Sequence, residues 1–537
     1  MKKHLEIRRY LTSFNSRALP HIFTDVLVIG GGVAGLRSAI TAADYGNVTV
    51  LTKHGLQDSN TAQAQGGVAV VLSAGDSVEL HVKDTLTTGV GLCDEEIVRA
   101  VVGEGPGRVK ELIAWGARFD RKDGELEFTK EGGHSVARIV HAHGDATGAE
   151  IVRALVEVAR SKPTITILEE HFVIDLITHD GAVMGALVYS AAKGLLLLWA
   201  SQVILATGGI GRLYRETTNP NVATGDGIAI AYRAGALLQD LEFVQFHPTT
   251  LYIAGASRTL ISETVRGEGA RLVNRKGERF MPKYHPDAEL APRDVVSRSI
   301  VREIQATGFP CVYLDVRHLD RKHLEQRFPA IYKECLSFDI DIGTDLIPVR
   351  PSAHYFIGGV TVSVSGQSSV ANLYAVGEVA CSGLNGANRL GSNSLLEGLV
   401  LGERAGKAAG EAFAGGAKNN RPHPVVSTLS APRRGDIDLD DVENSLRSLM
   451  WRAAGIEREE LHLETAEDYV DFWCGYVMDK TFTDIRGWVL QDMLTVAKLI
   501  IHTARERHES RGVHYRTDYP EADDANWRRH IMIQRGL

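Results

Sequence analysis

Residues 25–35, DVLVIGGGVAG, run as an almost unbroken apolar, β-branched stretch straight into a glycine cluster. The next eleven residues, LRSAITAADYG, have helical spacing, and a second apolar run, VTVLT, follows them. A short apolar run closed by glycine predicts a buried strand, and the change of period from strand to helix and back predicts a βαβ unit. Two later junctions have the same form, ASQVILATGGIGRLY at 200–214 and ANLYAVGEVA at 371–380. Three strand-to-glycine junctions so far apart predict one sheet that returns to one ligand.

Residues 241–355 have a different texture, rich in Arg, His and Pro with a helix-like DVVSRSIVREI, and predict an inserted domain. A Pro-, Gly-, Asn- and Ser-rich stretch at 421–435 predicts a linker. Beyond it, Val442, Leu446, Leu449 and Met450 share one helical face, as do Leu490, Met493, Ala497 and Ile500. The expected division is an N-terminal extension at 1–24, a nucleotide-binding domain from 25–240 with 356–420, the insertion at 241–355, the linker, and a helical domain at 436–537. The fold class expected is α/β, in an α+β multidomain arrangement.

Length agrees, since 537 residues exceed what one core supports. With 59 basic against 67 acidic side chains the net charge is −8, which argues against a nucleic-acid partner. The five cysteines form neither a CxxC nor a metal spacing, so reduced thiols and no metal are expected. The basic N-terminus lacks an apolar export core and reads as a loose extension. The longest apolar run, LLLLWA at 195–200, falls far below the roughly 18 residues of a membrane span. A cytoplasmic protein away from membranes is expected.

Gly30, Gly32 and Gly35 fit GxGxxG, with one glycine for the tight turn, one for close approach of a pyrophosphate and one for helix–strand packing. The helix that follows offers free amides to the phosphates. An acid expected about 20 residues on for the ribose is replaced by Thr52 and Lys53.

These stretches, with SNTAQAQGGVAVV, LEFVQFHPT, LISETVRGEGARLVN, APRDVVSRSI, PSAHYFIGGV, GEVACSGLNGANRLGSNSLLEG and SRGVHYRTDYP, resemble the succinate dehydrogenase and fumarate reductase flavoprotein family. Within it they are most similar to the L-aspartate oxidase group. The resemblance runs from about residue 24 to the C-terminus. It implies a Rossmann-like FAD-binding domain, a capping domain inserted in it, and a C-terminal three-helix bundle. It also implies FAD on Gly30, Gly31, Gly32, Val33, Ala34, Gly35 and Lys53. Further FAD contacts are implied for Asn60, Thr61, Ala62, Gln63, Ala64, Gln65, Gly66 and Gly67, with Asp226, Glu378, Ser394 and Leu395. In the membrane-complex relatives a histidine in SHT carries the flavin covalently. Here Asn60 stands in that place, and asparagine has no ring nitrogen to form the bond, so non-covalent FAD is expected.

The same resemblance implies carboxylate binding by His247, Ser262, His354 and Arg389, the last offering a bidentate fork. It implies a proton donor or acceptor in Arg293, served by Glu263 and Arg266, and hydride transfer from the substrate α-carbon to FAD. Glu131, in KEGGHS, is an acid in an anion site. Beside an α-ammonium group it forms a charge-assisted pair that succinate cannot make. The implied activity is oxidation of L-aspartate to iminoaspartate, with dioxygen or fumarate as acceptor. That is the first step of quinolinate and NAD synthesis, in functional sequence with quinolinate synthase. Two alternatives are the flavoprotein subunit of a succinate dehydrogenase or fumarate reductase, and a flavoprotein that binds FAD without redox turnover. His134, His141 and His143 receive no chemistry.

Overall fold

The structure is a computed structural model that describes residues 7–254, 259–416, 422–429 and 437–536. The strands His21–Ile29, Val48–Leu51, Gly194–Leu205 and Leu373–Ala375 run parallel in one seven-stranded sheet. Gly194–Leu205 lies between His21–Ile29 and Leu373–Ala375, so all three strand-to-glycine junctions end side by side. Ligands of open parallel sheets bind outside such carboxyl ends. The run LLLLWA falls inside Gly194–Leu205 and is mostly buried, as a strand covered on both faces requires. An antiparallel hairpin, His171–His179 with Ala182–Ser190, extends the sheet.

Two helices cover one face, Val33–Ala42 and Asn393–Ala414. Glycines recur every fourth residue along the second, at 398, 402, 406 and 410, which lines them on one side. A Cβ at Gly402 would stand 2.8 Å from the Ala34 carbonyl oxygen, and one at Gly406 would stand 2.4 Å from that of Ser38. The bare stripe lets the two backbones touch, and both helix N-termini arrive beside the strand ends.

The 241–355 segment has its own core, including Leu251, Ile261, Leu272, Phe280, Ile300 and Val349. Its strands Val244–Leu251 and Ile347–Phe356 pair antiparallel, with His247 opposite Ser352. The helices Leu439–Ala453, Glu460–Val477 and Ile485–Glu506 bury both predicted apolar faces against the hairpin side of the sheet.

Two expectations need correction. The N-terminal extension is not loose from residue 7 onward. Leu11 and Phe14 are buried, the Leu11 amide donates to Asp175 Oδ2 at 2.9 Å, and the first sheet strand already begins at His21. Apolar side chains at 11 and 14 cover the hairpin, which a search for an export signal could not reveal. Of the linker, residues 422–429 are described and the rest lie outside the described residues; within them Val426–Ser427 pairs with Phe14–Asn15.

Candidate functional site

One long cavity runs from the three glycine junctions to the inserted segment. At its floor Gly30 has φ +118°, and a Cβ there would stand 2.0 Å from the Ala206 carbonyl oxygen, so the first two junctions touch only through glycine. Gly31, Gly32, Val33 and Ala34 line the cavity with Ser394 and Leu395 from the second helix N-terminus. Gly35 does not line it. A Cβ on Gly35 would stand 2.0 Å from the Gly30 carbonyl oxygen, which makes it the packing glycine of the motif.

Lys53 Nζ pairs with Asp226 Oδ2 at 2.8 Å and donates to Thr224 Oγ1 at 2.9 Å. The Asn60 amide donates to Glu378 Oε2 at 2.8 Å, while Glu378 Oε1 accepts from the Phe356 amide at 2.9 Å. Burial pushes the Glu378 carboxyl above the usual range. Thr61 Oγ1 accepts from the Val33 amide at 3.1 Å, tying the 60–67 segment to the helix start. Gln63, Ala64, Gln65, Gly66 and Gly67 line the cavity, whereas Ala62 lies behind it with its amide on Ser59 Oγ.

The lining fits FAD. Asn60 Oδ1, Gln65 Oε1, Thr207 Oγ1 and Ser394 Oγ are buried with no hydrogen-bond partner, as expected of walls built for a polar ligand. The N-terminus of Val33–Ala42, at the glycine floor, would offer amides to its phosphates, while that of Asn393–Ala414 lines the cavity beside Glu131.

At the inserted-segment end, the cavity wall holds Glu131, His247, Ser262, Glu263, Arg293, His354 and Arg389 together. Arg293 opens the helix Arg293–Thr307; its Nε donates to Glu263 Oε2 at 2.5 Å and its Nη1 to Gln245 Oε1 at 3.2 Å. Arg266 Nη2 lies 3.3 Å from Glu263 Oε1, so Glu263 sits between two guanidinium groups. Burial works to raise the Glu263 carboxyl, but Arg293 and Arg266 outweigh it and hold it below the usual range.

Glu131 is 2% exposed, with Oε1 accepting from Thr264 Oγ1 at 3.2 Å and Oε2 from Ser392 Oγ at 2.8 Å. Burial first, and then the negative charge of Glu263, raise its carboxyl above the usual range. A Cβ on Gly391 would stand 2.9 Å from both Glu131 Oε2 and Arg293 Nη2, so glycine there lets acid and base share one corner.

The His247 and His354 rings lie 5.1 Å apart, and burial, then the charge of Arg293, drives both well below the usual histidine range. Each engages a threonine through Nδ1, Thr249 for His247 and Thr218 for His354, which leaves Nε2 for a ligand. Ser262 caps the short helix Glu263–Gly267. Arg389 stacks 4.3 Å from the Tyr355 ring centre, and burial, with Arg293 nearby, lowers it to about 10.

Sequence reasoning missed Gln245, Ser392 and Tyr355. Gln245 lies two residues before His247 on one strand, so the period of 2 that puts them on the same side was available as a signal. Of the unexplained histidines, His143 is exposed with φ 53°, and buried His141 shares a 2.6 Å hydrogen bond with Thr129 Oγ1. His134 is buried behind Gly391. Among the described residues no helix is long and apolar enough to cross a membrane, and no His, Cys, Asp or Glu cluster is arranged for a metal.

Residues 25–395 match the FAD binding domain family, and residues 443–536 match the family described as fumarate reductase flavoprotein C-term. The chain is 44% identical to an L-aspartate oxidase of Streptomyces coelicolor, over 96% of this chain and 92% of that protein. It is 43% identical to the chloroplastic L-aspartate oxidase of Arabidopsis thaliana, over 94% of this chain and 82% of that one. Among solved structures, the FrdA chain of an E. coli quinol fumarate reductase variant superposes with a TM-score of 0.89 at 32% identity. That match covers 96% of this chain and 94% of the other.

Proposed function

The chain belongs to the L-aspartate oxidase family of FAD flavoproteins, within the fumarate reductase type, and from that membership we propose that it oxidises L-aspartate to iminoaspartate. Fumarate or dioxygen takes the electrons, and the product enters NAD synthesis through quinolinate synthase in the cytoplasm. The observation that carries this reading is Glu131, a buried carboxylate in the same cavity wall as Arg293, Arg389, His247 and His354.

Bound FAD supplies the hydride acceptor for the substrate α-carbon. Arg389 and the Nε2 atoms of His247 and His354 bind the two carboxylates, with the Ser262 hydroxyl as a further donor. Glu131 pairs with the α-ammonium group, and that cation restores the ionised form that burial opposes. Loss of the α-carbon hydride is balanced by loss of an ammonium N–H proton, which Arg293 Nη2 takes as the guanidinium hands its own proton to Glu263, held ionised by Arg266. With fumarate the relay runs in reverse and delivers the proton to carbon. Carboxylate binding and proton exchange serve fumarate as well as aspartate, whereas the Glu131 contact serves only the amine. The FAD is held without a covalent bond, since Asn60 offers no ring nitrogen to form one and its amide instead donates to Glu378.

The test is anaerobic mixing of the holoprotein with L-aspartate or with succinate while the flavin absorbance is followed. L-aspartate bleaches it rapidly. Bleaching by succinate and none by L-aspartate would overturn the proposal.

A further inference from the structure

Ser392 has φ 62°, a left-handed conformation uncommon for serine, at the point where its hydroxyl meets Glu131. Such a conformation persists only where its neighbours are fixed. On the side away from the cavity, two buried histidines hold the residues flanking it. His134 Nε2 lies 3.0 Å from the Gly391 carbonyl oxygen, and its Nδ1 is 3.1 Å from Arg138 Nη1. A carbonyl only accepts and a guanidinium only donates, so Nε2 carries the proton and Nδ1 is a bare acceptor. Arg138 is in turn fixed by Asp76, at 2.9 and 3.0 Å, and by Asp84 at 2.5 Å. His81 Nε2 lies 2.8 Å from Asn393 Oδ1, while the Asn393 amide donates to Thr85 Oγ1 at 3.1 Å.

We infer that His134 is a positioning residue for the amine-binding carboxylate: its Nε2–H fixes the Gly391 carbonyl, so that Ser392 is presented to Glu131 in its left-handed conformation. The inference rests on the proposed pairing of Glu131 with the substrate ammonium. His134 also closes the turn that Glu131 opens, its amide donating to the Glu131 carbonyl oxygen at 3.3 Å. One imidazole therefore couples both partners of the Glu131–Ser392 hydrogen bond. Burial, then the neighbouring His81, brings His134 to about 3, in keeping with a neutral ring of fixed tautomer.

The experiment compares His134→Gln, whose amide reaches as far as Nε2, with His134→Asn, whose shorter side chain leaves the Gly391 carbonyl without its donor. Steady-state KM and kcat are measured on holoprotein for L-aspartate oxidation and for fumarate reduction, beside Glu131→Gln and the Glu131→Gln/His134→Asn pair. His134→Asn raises KM for L-aspartate about tenfold and that for fumarate less than about threefold, as loss of one buried hydrogen bond predicts. His134→Gln recovers to within about threefold of the parent. In the double variant, His134→Asn adds nothing to Glu131→Gln, because both changes act through one carboxylate. An equal rise of both KM values, an unchanged His134→Asn, additive effects in the double variant, or failure of His134→Asn to fold with FAD would each overturn the inference. A Glu131→Gln enzyme with unchanged KM for L-aspartate would instead refute the ammonium pairing beneath it.

Discussion

Arg293 and Arg389 donate to one and the same atom, Gln245 Oε1, each at 3.2 Å. One arginine comes from the inserted segment and the other from the loop before the helix Asn393–Ala414. The Gln245 amide donates in turn to Asn388 Oδ1 at 2.9 Å and to the Arg389 carbonyl oxygen at 2.8 Å. Two buried guanidinium groups would repel one another without a shared acceptor, and Gln245 sets their separation. Gln245→Leu removes that acceptor, and kcat/KM falls about a hundredfold for L-aspartate and for fumarate alike, the cost of unpaired buried groups. Steady-state kinetics with both substrates checks this, since a loss confined to one substrate contradicts it.

Glu131→Gln has the opposite signature. Losing the carboxylate lowers kcat/KM for L-aspartate about a hundredfold and fumarate reduction far less, because only aspartate offers a cation. The pH profile carries the same asymmetry. With the Glu131 carboxyl raised above the usual glutamate range, it is ionised above that raised value and neutral below it. As pH falls through that value the ammonium loses its partner, so kcat/KM for L-aspartate has an acid limb that Glu131→Gln lacks. His247 and His354 lie well below the usual histidine range and add no limb of their own near neutrality.

The three strand-to-glycine junctions were legible because apolar runs closed by glycine have one economical arrangement, adjacent strands of a parallel sheet. The residues around the substrate end were legible only through resemblance to a family. His247, Glu263, Arg293 and His354 come from separate elements, and no local period predicts that they meet. The period of 2 puts Gln245 on the side of His247, but not the two arginines it bonds, which come from positions 293 and 389. The packed N-terminal segment was hidden for a related reason. Leu11 and Phe14 need the hairpin at 171–190 to cover, and that partner lies far along the chain.

Lys53 replaces the acid that usually holds a ribose, and its ammonium is fixed by Asp226 and Thr224. Lys53→Met leaves Asp226 without its cation at the cavity wall and weakens FAD binding about tenfold. Titration of the deflavinated protein, followed by flavin fluorescence, gives the ratio. In the parent enzyme, acid precipitation sends the yellow colour into the supernatant; colour locked in the pellet would contradict the non-covalent attachment.

The glycine stripe makes a prediction about stability whose sign reverses within one protein. At Gly406 a Cβ would meet the Ser38 backbone, with the oxygen at 2.4 Å and the carbonyl carbon at 3.0 Å, and backbone has no rotamer by which to retreat. Gly406→Ala therefore forces the helices Val33–Ala42 and Asn393–Ala414 apart, at a cost of about 1–3 kcal/mol. Because those helices bring their N-termini to the FAD cavity, the same change speeds flavin release. Gly103, inside the helix Glu95–Ala114, has nothing within 4 Å of a Cβ, so Gly103→Ala gains up to about 1 kcal/mol from helix propensity alone. Thermal unfolding with flavin fluorescence as the second readout separates the two. Gly406→Ala lowers both the unfolding and the release temperature, and Gly103→Ala raises the unfolding temperature or leaves it in place. Equal behaviour of the two variants would mean that the close approach of the helices does not hold the cavity floor.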